Sequence, residues 1–251
     1  MGIEAIMETG SNFTTLDQAA RQGRTAVLAG FAAAALEALA CGRRELRAVR
    51  HPLGFVCLPV LREGGDGVCV HLHGGPEAAE TAAAGLTTST IHAHSWDLAS
   101  CVLFGEIGNV PVRVHDVGRD RATHRVFEVH SSASGVDELR PTSRLVRWSA
   151  APTEIHGPRR IYRMASGEFH STVEAPPRRG PSGWVRQSSA TVVVGRSAAG
   201  RTDLALGPLH GLPHQVQRRH CSAPESADIA LRILRRMNES EPRSEPSGLR
   251  G

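Results

Sequence analysis

Residues 88–107 read TSTIHAHSWDLASCVLFGEI. The run has the β-rich, turn-bounded character of strands, first TSTIHAHS and then ASCVLFGEI. Side chains two apart on a strand point to one face, so His92 and His94 can converge on one ion. An isolated pair of this spacing carries little weight, because His71-Leu72-His73 repeats it without an evident further ligand. The context of the first pair therefore decides its meaning.

Short β-type runs continue on both sides. FVCLPVL (55–61) and GVCVHLH (67–73) precede it, joined by the turn-rich EGGDG. VPVRVHDV, HRVFEVHS, SRLVRWSA, RRIYRMA, FHSTVEA and SATVVVGR follow, separated by Gly, Pro, Asp or Ser clusters. That spacing predicts an antiparallel sandwich or barrel. Upstream, apolar residues between 15 and 49 recur near a 3.6-residue period, predicting one helix or a helical pair that Cys41-Gly42 interrupts or ends. After Arg196 the chain reads as loop until residues 226–238, SADIALRILRRMN, where Ala230, Ile233, Leu234 and Met237 share a helical face. The closing ESEPRSEPSGLRG has too few apolar side chains to offset its ordering entropy and reads as disordered. The expected organisation is a helical extension over 1–50, a β domain over 51–198, and a loop, short helix and tail over 199–251.

With 251 residues the chain can bury one substantial core. All 29 basic residues are arginine, a usage that fits a GC-rich coding sequence, and they lie scattered among Glu and Asp. With no basic stripe, a net charge of +4 gives no footprint for nucleic acid. Five cysteines form no CxxC pair and are odd in number, which argues against a disulfide framework and a thiolate zinc site, and for a reduced, cytoplasmic setting. The start, MGIEAIMETGSNF, shows no signal-peptide pattern, and the apolar stretch near 26–40 is too short to span a bilayer. No membrane partner is expected.

The surroundings of His92 and His94 resemble the cupin superfamily. Its first motif runs Gly, about five residues, HxH, three or four residues, Glu, six residues, Gly; here Gly85 precedes the pair by six residues, Leu98 stands in the Glu position, and Gly105 ends the motif. The second motif, Pro-x-Gly-x-x-His and later Asn, is matched by Ala165-Ser-Gly167-Glu-Phe-His170, with Ala in place of Pro and Glu174 where Asn is common. The resemblance implies a mainly β, jelly-roll (double-stranded β-helix) barrel flanked by the terminal helices, with paired barrels as a homodimer. It also implies one divalent metal held by His92, His94 and His170, Fe(II) favoured, with Zn, Mn, Ni or Cu also suited to imidazole. Leu98 removes the usual carboxylate ligand, which resembles the three-histidine oxygenases. The relay of cysteine-dioxygenase-type cupins is absent, since Thr191-Val192-Val193-Val194 occupies that region.

Four further residues are candidates for the catalytic pocket. Trp96 would share the His94 face if the strand continues, as a pocket wall or as core. Asp97 would orient an imidazole, or sit at the surface or in a turn. Tyr162 and Arg163 precede the His170 turn on opposite faces, so one of them sees the pocket, and Arg163 there would clamp a substrate carboxylate. The expected activity is a mononuclear iron oxygenase acting on a small polar metabolite, with specialised biosynthesis as one setting for it. The alternatives are an oxygen-independent isomerase, lyase or hydrolase using Asp97, Glu168 or Glu174 as base, and a non-enzymatic ligand-binding cupin.

Overall fold

A computed structural model describes residues 12–74, 86–132, 134–180, 183–185 and 187–240. Gly85, the amino-terminal 11 residues and the tail beyond Ser240 lie outside the described residues, and with them the readings made there.

Among the described residues the chain is mainly β, with two large antiparallel sheets and three helices. Helices α1 (Phe13–Arg21) and α2 (Thr25–Ala40) form a helical pair, one of the two arrangements expected over 15–49, with the break at Gly23 and Cys41 ending α2. The apolar period runs through the break, but Gly23 takes φ +70, and Arg24 N–H and Gly23 N–H close back on the carbonyls of Ala19 and Ala20. That paired closure ends α1 because glycine alone adopts the left-handed turn without strain. Asn12 caps the start, its Oδ1 accepting from Thr15 N–H at 3.0 Å.

The first sheet orders β10 (Ile161–Met164), β5 (Trp96–Phe104), β14 (Ser189–Ser197), β3 (Asp66–His73), β2 (Phe55–Glu63), β1 (Val49–His51) and β17 (Arg219–His220). Strict alternation gives it two faces. Val56, Leu58 and Val60 in β2, Val68, Val70 and Leu72 in β3, and Ala190, Val192 and Val194 in β14 are buried on one face, and they share a single core cluster with both amino-terminal helices. Each Val or Leu buried this way contributes about 1.5–3 kcal/mol. Helix α3 (Ala223–Ser240) joins the same core through Ile229, Ala230 and Ile233, with Leu234 and Met237 packed at its margin, so the expected apolar face does dock on the body of the protein.

The second sheet orders β16 (His214–Gln217), β8 (Val136–Ala150), β7 (His124–Ser131), β15 (Asp203–Pro208), β4 (His92–Ala93), β11 (Phe169–Glu174), β6 (Ile107–Asp116) and β9 (Glu154–His156). The long β8 pairs with β7 over most of its length and with β6 near its end. The sheet thus curls over its own apolar face, where Ile91, Ala93, Val112, Val126, Val146, Phe169 and Leu206 form a second buried cluster. Strands β15, β16 and β17 fall where the sequence reads as loop, and β15 is the direct neighbour of His92, pairing Ala205 with it. The short DLALGP run lacks the length and β-branched content that mark a strand in isolation, and its neighbours supply the pairing.

No helix among the described residues is long and apolar enough to cross a membrane.

Candidate metal centre

The site forms where the chain passes from one sheet to the other. His92 belongs to β4 in the second sheet, Trp96 opens β5 in the first, and His94 lies in the link between them. Asp203 Oδ1 accepts from Ser95 N–H at 2.6 Å and pins this crossing. Strand β11 pairs with β4 so that His170 sits directly opposite His92. Alternation turns Ala93 and Phe169 into the apolar cluster, leaving the histidines on the other face.

Gly167 makes the second connection. At φ +84 it supports the turn before β11, and its N–H donates to the carbonyl of His94 at 2.8 Å, tying the third histidine's turn to the first pair. Asp97 is exposed and serves this turn, the surface or turn role expected of it and not the imidazole partner, its Oδ1 accepting from Ser166 N–H at 2.8 Å.

Ligand nitrogens of His92, His94 and His170 lie within 4.8 Å of one another, and the Nε2 atoms of His94 and His170 are 3.3 Å apart. Two imidazoles have their tautomer set by an outer partner. His92 Nδ1–H donates to the carbonyl of Thr90 at 2.9 Å, and His170 Nδ1–H donates to Oδ1 of the buried Asn109 at 2.8 Å. Both therefore offer Nε2 lone pairs, the arrangement by which outer hydrogen bonds orient metal-binding histidines. His94 is positioned by ring contact, 4.3 Å from the Trp96 ring.

Burial keeps the three rings neutral. It lowers His170 to about 2, with His92 adding to the effect, and it lowers His92 although the Thr90 carbonyl and Asp203 oppose it. His94 is held well below the usual range, first by burial and then by His92 and His170. Neutral imidazole is the ligating form, so the donor set fits a divalent ion with all three ligands ready near neutrality. The three-histidine group is thus able to hold a metal.

A cavity of about 1030 Å³ opens from this point, lined by both sheets. Trp96, Leu98, Tyr162, Met164 and Val193 form one apolar cluster along its wall. Trp96 is therefore a wall residue, and Leu98 presents an aliphatic chain where a carboxylate would bring charge. Tyr162 also lines the cavity, stacked on His156 at 4.5 Å, and burial raises its phenol above the usual range. Arg163 does not reach it: the side chain turns to the other side of β10 and donates to the carbonyls of Ala20 and Arg21 at the end of α1. The carboxylate-clamp expectation for Arg163 is thereby overturned, because α1 occupies the face to which alternation sends it.

Several residues that line or support the site stand outside the two sequence motifs. Asn109 reaches His170 only through the β6–β11 ladder, a register one sequence does not reveal. Arg218 lines the cavity with Nε bound to Asp137 Oδ2 at 2.6 Å and Nη2 to Ser131 Oγ at 2.5 Å. His71, and with it Cys57 and Cys69, form a separate group on the same cavity, within 4.8 Å of one another. Hydrogen bonds from the Cys57 thiol and from His71 hold the Cys69 thiol well below its usual range.

The Asn109 contact yields a testable expectation. Asn109→Leu should weaken divalent-ion binding about 10- to 100-fold, measured by competition with a chromogenic chelator; an unchanged affinity would show that Asn109 has no part in orienting His170.

Set against known proteins, the chain matches no family model and no curated protein, so the functional reading rests on this geometry.

Proposed function

We propose that the protein is a metal-dependent enzyme of the three-histidine cupin type, a mononuclear Fe(II) oxygenase acting on a small polar metabolite. The observation that carries this reading is the meeting of three neutral imidazoles on a cavity where Leu98, in the motif position usual for a carboxylate, is an apolar wall residue. Two antiparallel sheets enclosing a ligand-lined cavity support the jelly-roll reading implied by the sequence motifs. When bound, the ion supplies Lewis acidity and one-electron chemistry toward oxygen.

The rest falls to the chain's own residues. Neutral ligands leave the ion's double positive charge uncompensated, which favours an anionic, chelating substrate. Thr90 and Asn109 fix the His92 and His170 rings so that no reorientation is needed on binding. Trp96, Leu98, Met164 and Val193 exclude water from one side of the substrate, and the Arg218–Asp137 pair offers polar contacts elsewhere on the cavity wall.

A second reading, oxygen-independent isomerase, lyase or hydrolase chemistry, draws support from Glu174. Of the three carboxylates considered as general base, it is the one that lines the cavity, whereas Glu168 accepts from its own turn at Ala165 and Asp97 from Ser166. The two readings separate cleanly. Protein loaded anaerobically with Fe(II) should consume oxygen when offered members of a panel of small chelating carboxylates and diketones. Turnover with Zn(II) under strict anaerobiosis would replace the oxygenase reading with the Lewis-acid one.

A further inference from the structure

On the cavity that the three histidines also line, the β2–β3 hairpin brings Cys57 together with Cys69 and His71. Cys57 lies directly opposite His71, and Cys69 is the diagonal neighbour two residues along the same face, opposite Pro59. Their donor atoms lie within 4.8 Å of one another, and all three line the cavity. Phe55 packs its ring against His71 at 4.6 Å and against His51 at 4.4 Å, limiting the directions the His71 imidazole can take.

We propose that Cys57, Cys69 and His71 form a second metal site, selective for a soft or borderline ion such as Zn(II) or Cu(I), with a fourth position open to the cavity. Thiolates with imidazole select these ions over harder ones, and a three-ligand set with an open position is the form taken by reactive zinc sites. The strand register separates this from a disulfide. Diagonal partners have α-carbons roughly 7–8 Å apart, at or beyond the limit for bridging. Two sulfurs bound to one tetrahedral zinc at about 2.3 Å need to approach only to about 3.8 Å. The absence of any CxxC spacing, which argues against a thiolate site in the sequence, is immaterial when a β-hairpin supplies the proximity.

The site uses none of the residues of the three-histidine centre and stands whether or not the oxygenase reading does. Its test is Co(II) and Zn(II) loading of the full chain, purified under reducing conditions. Wild-type protein should bind two equivalents of Zn(II), and its Co(II) form should show a thiolate-to-metal charge-transfer band in the near ultraviolet. Cys57→Ser and Cys69→Ser should each abolish that band and reduce the stoichiometry to one. His92→Ala and His170→Ala should keep the band, also at one equivalent. A wild-type Co(II) spectrum with no thiolate band overturns the proposal without reference to any variant, as does recovery of a Cys57–Cys69 disulfide from the reduced preparation. Loss of binding confined to the histidine variants would instead support the first centre and refute this one.

Discussion

His170→Ala is expected to weaken divalent-ion binding by more than about 100-fold, beyond what loss of an outer hydrogen-bond partner costs. His170 is the one ligand delivered from a separate strand, so its removal leaves a pair of adjacent histidines with no third donor from β11. The substitution also strips Asn109 of the group it accepts from, and a buried polar atom left unpaired costs about 1–3 kcal/mol. The metal-free variant should consequently melt somewhat below the parent yet remain folded, because Phe169 and the apolar face of β11 are untouched. Chelator competition monitors the affinity, and circular dichroism verifies the fold. A folded variant that binds as tightly as the parent would remove His170 from the site.

The metal-free protein is expected to lose stability steeply below neutrality. Burial holds His73 at about 3 and His170 at about 2 in the folded chain, against an ordinary value of 6.5. The folded form of each is thus neutral where the unfolded form binds a proton. The unfolded state then carries more protons at every pH below about 6.5, so stability falls as pH falls through the unfolded value and continues to fall until the folded values are reached. At pH 5 the two residues together should cost about 4 kcal/mol relative to pH 8, about 2 kcal/mol each. His51, His92 and His94 are lowered too and act in the same direction. Against a total stability of about 5–15 kcal/mol the loss is large. Denaturant titrations at pH 8, 6.5 and 5 measure it, and a flat profile over that range would mean that the cavity hydrates these rings.

How much of this is legible in the chain depends on the range of the interaction. The pairing of His92 with His94 on one face follows from strand alternation, and most of the β runs are visible through their turn residues. Alternation also requires Tyr162 and Arg163 to part, but not which of them faces inward; the docking of α1 on one side of β10 decides that. The choice between one helix and a pair over 15–49 stays open in the sequence because apolar spacing persists across a break made by backbone conformation at Gly23. Contacts set by ladder register lie deepest. Asn109 on His170 joins residues with no recognisable pattern until β6 meets β11, and the β2–β3 hairpin, legible through its EGGDG turn, brings Cys57 beside Cys69 and His71 only once its register is set.

Anomalous diffraction from crystals of the metal-loaded chain decides whether three imidazoles share one cation. The expected result is an anomalous peak about 2.1 Å from the Nε2 atoms of His92, His94 and His170 together. Full occupancy elsewhere in the protein, with these three nitrogens bearing no ion, would contradict it.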